Sequence, residues 1–223
     1  LARAWAAKGR SVSWLVETRS DAPPLALGLL AFGDQTKPGA AAAVAALQRE
    51  GLRVVLLSGD NRGAAESLAR EVGITEVRSE VLPADKARVV QALRDGLQSG
   101  SSAGARVAMV GDGVNDAPAL AAADVGLAMT HTDGGGTDVA MQTAGLTLLR
   151  GDPMLVVEAL QLSRAITRRI HQNLFWAFGY NVVGIPLAAF GLLSPVVAGA
   201  AMALSSVSVI TNALLLGRFK PRV

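Results

Sequence analysis

The sequence predicts an α/β domain with a parallel sheet, followed by a transmembrane α-helical hairpin. In the first part of the chain, short runs of β-branched and leucine residues alternate with segments of helical spacing. This alternation is typical of a parallel sheet with helices on both faces. Farther along, no Asp, Glu, Lys, Arg or His occurs from Gln172 to Gly217. That stretch is about twice the ~20 residues that one membrane helix needs.

The elements of the first part can be placed by the residues at their boundaries. Pro38 in the first turn and Gly51 beyond the last turn bound one helix, and Gly73 ends the next. The turn-rich Ser20 to Pro24 separates two early strands. The predicted order is strand 11–16, strand 25–32, helix 38–50, strand 53–57, helix 62–72, a short strand near Val77, helix 84–97, a flexible loop over 99–104, strand 106–110, strand 124–129, strand 146–149 and helix 153–170.

The uncharged stretch divides at Gly191 to Pro195, where glycine and proline allow a tight loop. We therefore predict membrane helices over 171–193 and 195–217. Basic residues flank both outer ends, namely Arg164, Arg168, Arg169 and His171 before the first helix and Arg218, Lys220 and Arg222 after the second. The positive-inside rule places both ends, including the tail 218–223, in the cytoplasm. A buried hairpin of a soluble protein is the alternative, but it would rarely lack charge on every face.

The charge balance favours a membrane over nucleic acid as a partner. The basic residues beside the predicted membrane helices explain the net charge of +3 and the pI near 9.8, and they suit anionic lipid. Aromatic residues make up only 4% of the chain, and no basic patch is interleaved with them, so nucleic-acid binding is not expected. The lack of cysteine excludes disulfides and thiolate sites within the chain.

The run from Gly111 to Pro118 carries the clearest chemical signal. It follows the predicted strand 106–110 and supplies two carboxylates, Asp112 and Asp116, with Asn115 between them. Glycines let the backbone approach a ligand closely, and open α/β sheets bind ligands beyond the strand ends. Because carboxylates suit Mg²⁺, the run predicts Mg²⁺ held against a phosphate. The alternative is a tight turn in which Asp116 only caps the next helix. Such a turn would not require the particular residues found at so many positions of this run.

Three other motifs fall at predicted strand ends or helix starts, so we expect them at the same edge of the sheet. Ser58, in Ser58-Gly59-Asp60, offers a hydroxyl and nearby backbone N–H groups to phosphate oxygens. Lys86 offers a mobile positive charge against a phosphoryl group. The third motif runs from Asp34 to Ala40. Considered alone, Lys86 would be a solvated helix residue and Asp60 would form a turn. The order of all these motifs along the chain, however, indicates phosphoryl transfer.

In these motifs the chain resembles the C-terminal part of a P-type ATPase, whose phosphorylation domain has the haloacid dehalogenase-like (Rossmann-type) fold. The resemblance implies catalytic roles for Ser58, Gly59, Asp60, Lys86, Asn115 and Asp116, ATP contacts for Asp34 and Lys86, and Mg²⁺ ligation by Asp112 and Asp116. It also implies that residues 1–32 end a nucleotide-binding domain, that 33–152 form an incomplete phosphorylation domain and that 153–170 form a connecting helix.

The chain departs from the family pattern in two places. The family phosphorylates the Asp of an Asp-Lys-Thr-Gly-Thr motif, whereas the run at Asp34 continues with Lys37-Pro38 instead of Gly-Thr. We therefore expect a fragment of a longer protein that lacks the strand with the phosphorylated Asp, and a marginally stable sheet with a central gap. Thr130 to Asp133 also lengthens the loop after strand 124–129. A metal site at His131 and Asp133 is a less favoured alternative to a plain surface loop.

Polar side chains in the predicted hairpin are candidates for an ion pathway. Met202 and Ser206 are four residues apart and share a helix face, and a methionine thioether favours Cu(I). Here the chain resembles the copper(I) class of P-type ATPases, which implies Cu⁺ ligation by Tyr180, Asn181, Met202 and Ser206. Ag⁺ is equally soft, and the sequence does not separate the two ions. Polar residues that only join the helices are the alternative, favoured for Ser205, Ser208 and Thr211.

The resemblance as a whole implies part of an ATP-driven exporter that couples aspartyl-phosphate formation and hydrolysis to Cu⁺ translocation. It implies Mg²⁺ and ATP as cofactors, membrane lipid and a cytosolic copper chaperone as partners, and a bacterial plasma membrane with the soluble domain in the cytoplasm. A catalytically inactive truncated fragment is the alternative. A membrane-anchored phosphatase of the same fold would need an Asp-x-Asp-x-Thr motif, which the sequence lacks.

Overall fold

The computed structural model describes residues 1–6, 10–19, 22–33, 36–99, 104–130 and 138–221. The chain divides into two compact units, Leu1–Val156 and Val157–Val223. The described strands lie in the first unit, and the second unit is helical.

The first unit begins with a short helix and a two-stranded antiparallel ribbon: α1 Ala2–Ala6, β1 Ser11–Arg19 and β2 Ala22–Phe32. Both strands are longer than predicted, because β2 starts within the expected turn and includes Pro23 and Pro24. Proline is tolerated there, since each strand of a two-stranded ribbon has one unpaired edge. Apolar side chains such as Trp14 and Phe32 are exposed on the ribbon.

Alternating helices and strands follow the ribbon and confirm the predicted α/β fold. They are α2 Ala40–Arg49, β3 Val55–Leu57, α3 Arg62–Val72, β4 Glu76–Arg78, α4 Pro83–Ser99, β5 Ala108–Gly111, α5 Ala117–Ala122, β6 Val125–Met129, α6 Asp138–Thr143 and β7 Leu146–Leu148. The bounds of α3 are those predicted, because Asn61 caps it by accepting from the Ala64 N–H at 3.0 Å and Gly73 ends it with a φ of 81°. Helix α6 was not predicted, since it follows a glycine-rich run that is typical of a loop.

The parallel strands form two sheets. β3 pairs with β4, and the second sheet has the order β5-β6-β7. Among the described strands, no hydrogen-bonded ladder joins β3 to β5.

Helix α5 separates two parts of the hydrophobic core. Ala119 is fully buried in a cluster with Val90 of α4, and this cluster also contacts Leu57 of β3 and Met109 of β5. Leu120 packs in a second cluster with residues of β6 and α6. The contact between α4 and α5 therefore links the strands of both sheets.

The second unit is built on α7 Met154–Ala189 and α8 Pro195–Leu214, with a 3₁₀ turn at Leu215–Arg218. The predicted helix 153–170 and the first predicted span are one continuous helix, which ends at Ala189 instead of residue 193. The tight loop forms as predicted, because Gly191 adopts a φ of 70° and the Ser194 side chain accepts from the Val197 N–H at 3.3 Å.

In the part of the chain that the structure describes, one helix is long and apolar enough to cross a membrane by length and composition. It is Pro195–Arg218, with a mean hydropathy of 1.7. Helix α7 also runs through uncharged sequence, but Asn173, Tyr180 and Asn181 lower its hydropathy there. The span over 171–193 therefore stays a prediction.

We expect Gly126→Ala to lower the free energy of unfolding by about 1–3 kcal/mol, the usual cost of overpacking. A Cβ at Gly126 would lie 2.7 Å from the carbonyl oxygen of Leu120, which belongs to the backbone of α5 and cannot rotate away. Chemical denaturation of the full chain in detergent measures the change.

Gly96→Ala is the matched control, because Gly96 is exposed within α4 and a Cβ there meets nothing within 4 Å. It should gain up to about 1 kcal/mol from reduced backbone entropy. Equal stability of the two variants would contradict the packing of α5 on β6.

Candidate active site and ion pathway

The carboxyl end of β5 positions the two predicted carboxylates. Asp112 follows the strand directly, and Asp116 closes a 3₁₀ turn in which its N–H donates to the Gly113 carbonyl at 3.1 Å. A Cβ at Gly111 would lie 2.7 Å from the Cβ of Asp116. Glycine at the end of β5 therefore lets the Asp116 side chain lie directly against the strand.

Asp116 is paired with Lys86, which comes from the first turns of α4. The Lys86 Nζ lies 2.7 Å from the Asp116 Oδ1, and the side chains are only 16% and 14% exposed. Asp116 occupies the N-cap position of α5, but its side chain accepts no hydrogen bond from that helix. The predicted N-cap position of Asp116 is therefore confirmed, but its carboxylate contacts Lys86 and makes no capping hydrogen bond.

A second lysine pairs with the other carboxylate. The Lys37 Nζ lies 3.3 Å from the Asp112 Oδ2, with side chains 39% and 40% exposed. Sequence reasoning did not assign Lys37 to the site, although its place just before Pro38 at the start of α2 resembles that of the other predicted site residues. An ion pair this exposed is weak, so Asp112 can exchange Lys37 for another cation at little cost.

The Ser58-Gly59-Asp60 turn is closed by its own side chains. The Ser58 hydroxyl donates to the Asp60 Oδ2 at 2.7 Å, and the Asp60 N–H donates to the Ser58 Oγ at 3.1 Å. The Val81 N–H donates to the Ser58 carbonyl at 3.1 Å, which ties the turn to the segment leading into α4. No hydrogen bond among the described residues joins this turn to the ion pair at β5.

The other predicted site residues are exposed, lie in the core or are outside the described residues. Asn115 is exposed in the 3₁₀ turn. Asp34, His131 and Asp133 are outside the described residues. Thr130 is buried, and its N–H and hydroxyl both donate to the Leu148 carbonyl, at 3.0 and 3.3 Å. It therefore belongs with the β6–β7 pairing and not with a surface loop.

Asp112 and Asp116 suit Mg²⁺ better than a metal that needs a full set of protein ligands. No group of three or more His, Cys, Asp or Glu in the described chain could hold a metal ion. Mg²⁺ prefers oxygen donors and is often bound by one or two carboxylates together with substrate phosphates and water. Asp112, whose side chain is 40% exposed, fits that requirement, whereas Asp116 would have to share its carboxylate between the metal ion and Lys86.

The predicted copper ligands make local hydrogen bonds within their own helices. The Asn181 amide donates to the Ala177 carbonyl at 2.8 Å, and the Ser206 hydroxyl donates to the Met202 carbonyl at 3.1 Å. The Met202 side chain is 73% exposed, and the Tyr180 ring lies 6.2 Å from that of Trp176. Among the described residues, no hydrogen bond involves the thioether of Met202 or the amide oxygen of Asn181.

A polar cluster joins α7 and α8 near one end of the uncharged stretch. Arg169 donates to the Asn212 Oδ1, and the Asn212 Nδ2 donates to the Asn173 Oδ1 at 2.7 Å. The sequence could not indicate that these two asparagines, which are 39 residues apart, meet. Arg169 was counted only as a flanking charge.

Shifted pKa values occur on α3, away from these clusters. The Arg62 Nε donates to the Glu66 Oε1 at 2.6 Å, and this hydrogen bond with its charge attraction lowers the pKa of Glu66 and raises the pKa of Arg62. The stability that Glu66 contributes is present above its ordinary pKa and is lost as the pH falls through the lowered folded value. Both side chains are exposed, so the contribution is small.

Comparison with known proteins identifies the first unit. A family model described as haloacid dehalogenase-like hydrolase matches residues 2–124. The chain belongs to the haloacid dehalogenase-like hydrolase family. The match includes the residues at the end of β5 and both lysines that pair with them.

Relatives of this haloacid dehalogenase-like chain include copper transporters. Over 87% of its length it is 51% identical to a copper-exporting P-type ATPase of Staphylococcus aureus (strain bovine RF122 / ET3-1), of which it covers 23%. Over 98% of its length it is 52% identical to a probable copper-transporting ATPase, PacS, of Synechococcus elongatus, of which it covers 28%. The chain thus spans about a quarter of the length of these curated relatives.

Solved structures show the same likeness. A crystal structure of a zinc-transporting PIB-type ATPase superposes with a TM-score of 0.78 at 34% identity, over 96% of this chain and 32% of that chain. A second crystal structure of a zinc-transporting PIB-type ATPase, in another state, gives a TM-score of 0.77 at the same identity and coverage. Both the sequence and the fold of this haloacid dehalogenase-like chain are therefore similar to those of P-type ATPases.

The two lysines of the site should differ in their effect on stability. Lys86→Met leaves the little-exposed Asp116 carboxylate without its partner, and we expect a loss of about 2 kcal/mol or more, toward the 3–5 kcal/mol typical of broken buried pairs. Lys37→Met removes a half-exposed pair and should cost about 0–1 kcal/mol. Urea unfolding of the two variants side by side measures the difference, and equal losses would show that the Lys86 pair is solvated.

Proposed function

We propose that the chain is the C-terminal part of a copper(I)-exporting P-type ATPase and carries part of its phosphorylation site and its last two membrane helices. The observation that supports this most is the meeting of Lys37, Lys86, Asp112 and Asp116 at the end of β5. These residues come from three separated motifs and combine two carboxylates with two ammonium groups. That combination suits a site that holds a phosphoryl group and its counterion.

Asp112 and Asp116 would hold Mg²⁺, which when bound supplies positive charge to phosphoryl oxygens. Lys86 keeps an ammonium group in place beside Asp116, where water screens it little. It therefore offsets negative charge at the strand end without having to reorganise. Asp112 can leave Lys37 for another cation because that pair is half exposed.

Ser58 and Asp60 form a hydroxyl–carboxylate pair that can open toward a phosphate. The Ser58 hydroxyl donates to Asp60, so it must rotate from that carboxylate before it can donate to a phosphoryl oxygen. Gly59 lets the turn lie close to the Val81 carbonyl, which a Cβ would approach to 3.3 Å. We assign Ser58 to phosphate contact, Asp60 to positioning and Asp34 with Lys86 to ATP. A part of the protein outside this sequence would supply the phosphorylated Asp.

Helix α7 is suited to carry movement between ATP hydrolysis and the ion pathway. It has 36 residues with one internal proline, Pro186, and the stretch from Met154 to Asn181 that precedes this proline is about 40 Å long at ~1.5 Å per residue. A helical stretch without proline moves as a rod, so a tilt at its first turn displaces Tyr180 and Asn181. Phosphorylation and hydrolysis would then bias two positions of the Tyr180-Asn181 segment.

Cu⁺ is the substrate that the hairpin suits best. Met202 presents an exposed thioether, and Asn181 and Ser206 donate local hydrogen bonds through the amide nitrogen and the hydroxyl, which leaves their oxygens able to accept a cation. A soft ion is favoured by the thioether, and the lack of any carboxylate from Gln172 to Gly217 disfavours a divalent ion such as Zn²⁺. Ag⁺ remains the alternative substrate, and an inactive truncated fragment the alternative function.

The location and partners follow from this proposal. The hairpin would lie in a bacterial plasma membrane in contact with lipid, and the haloacid dehalogenase-like domain would lie in the cytoplasm. A cytosolic copper chaperone would deliver Cu⁺ to the full-length protein.

Asp112→Asn in the complete protein should abolish copper-dependent ATP hydrolysis, with a loss of at least about 100-fold. The substitution removes a charge from the strand end where the phosphoryl group is held. Asp95→Asn, an exposed acidic residue of α4, is the control and should hydrolyse ATP normally. Unchanged ATP hydrolysis by Asp112→Asn would contradict the assignment of the site.

Met202→Ala should weaken Cu(I) binding by about 10-fold or more, since even residues that only support metal ligands cost 10–100-fold when replaced. Leu204→Ala removes an exposed apolar side chain from the same helix and should bind Cu(I) like the wild type. Competition with a chromogenic Cu(I) chelator measures both, with Zn²⁺ and Ag⁺ titrated in parallel. Normal copper affinity of Met202→Ala would refute its role as a ligand.

A further inference from the structure

A shallow groove of about 550 Å³ runs along one side of α7. Its lining includes three basic side chains, Arg164, Arg168 and His171, and two aromatic side chains, Phe175 and Trp176. None of its lining residues is acidic. The groove is therefore basic toward one end and aromatic toward the other.

The basic end of the groove faces away from α8. The side of α7 that contacts α8 carries Arg169 and Asn173, of which Arg169 donates to Asn212 and Asn173 accepts from it. The nine helical steps from Arg164 to Asn173 make about two and a half turns at ~3.6 residues per turn. Arg164 thus lies on the opposite side of the helix from Asn173, whereas Trp176, three residues beyond Asn173, lies nearer the side that contacts α8.

The basic end of the groove stops where the uncharged stretch begins. His171 directly precedes Gln172, and Trp176 lies about 7.5 Å beyond His171 along the helix at ~1.5 Å per residue. Long basic side chains above an aromatic pair are typical of a helix that passes through the headgroup layer of a bilayer. The order of charges and rings matches the order of headgroup and acyl chain in a phospholipid.

We propose that this groove binds an anionic phospholipid, with the headgroup phosphate at Arg164 and Arg168 and an acyl chain along Phe175 and Trp176. The inference rests on the proposed membrane location of the hairpin. Guanidinium groups suit the phosphate because their planar forks donate two parallel hydrogen bonds. A groove lined by basic side chains and no carboxylate is complementary to a negative headgroup, whereas a zwitterionic headgroup would bring as much positive charge as negative.

Native mass spectrometry of the complete protein tests the proposal. The detergent-solubilised protein is titrated with phosphatidylglycerol or with phosphatidylcholine, and bound lipid is counted at each concentration. We expect Arg164→Gln/Arg168→Gln to weaken the tightest phosphatidylglycerol by about fivefold per arginine, the factor that corresponds to ~1 kcal/mol for a basic residue at an anionic surface. Phosphatidylcholine binding should not change.

Two further variants test whether a loss of lipid binding is caused by the general loss of charge or by reduced stability. Arg49→Gln/Arg70→Gln removes the same charge from exposed positions of α2 and α3 and should bind phosphatidylglycerol like the wild type. Arg164→Lys/Arg168→Lys keeps the charge in the groove and should retain most of the preference. Retention by the lysine variant together with loss by the glutamine variant supports the proposal even where the latter is less stable.

The outcomes separate this inference from the proposed function. Unchanged phosphatidylglycerol binding by the glutamine variant overturns the inference, as does equal weakening of both lipids, which would show that only the acyl chain is held. Displacement of the lipid by equimolar inorganic phosphate would assign the arginines to free phosphate and also overturns it. Copper-dependent ATP hydrolysis is measured on the same wild-type preparation, so its absence would count against the transporter and not against the lipid site.

Discussion

The Lys86–Asp116 ion pair is the interaction on which the site depends. It fixes the first turns of α4 to the end of β5, directly beside the core contact between Val90 and Ala119. Because both charged groups are largely shielded from water, separating them costs more than separating a surface pair. The ion pair also requires glycine at position 111, because a side chain there would push Asp116 away from the strand.

The site and the hairpin place their reactive groups in different ways. At the end of β5 the charges are already compensated by lysines, so a ligand there must compete with protein groups. In the hairpin, Met202 and Asn181 are exposed and use only local hydrogen bonds. Such residues are oriented by their own helices and are available to a site that other parts of a protein complete.

Local sequence signals predicted the elements and most of the site, whereas long-range contacts could not be read from them. Helix α3 was placed correctly because Asn61 and Gly73 act on neighbouring backbone groups. The motif from Asp34 to Ala40 was expected at the same edge of the sheet as Asp112, but Lys37 was not singled out, because no local pattern reports which side chains 75 residues apart will meet. Asp116 was placed correctly at the N-cap of α5, but its pairing with Lys86 of a distant segment could not be foreseen.

The division of the parallel strands into two sheets has a consequence for the behaviour of the chain. In the described structure, β3 and β5 each border a sheet and keep one edge whose backbone N–H and C=O groups have no strand beside them. Such an edge is a template that accepts any extended segment of compatible register. An edge that stays uncovered favours association between chains through their backbones.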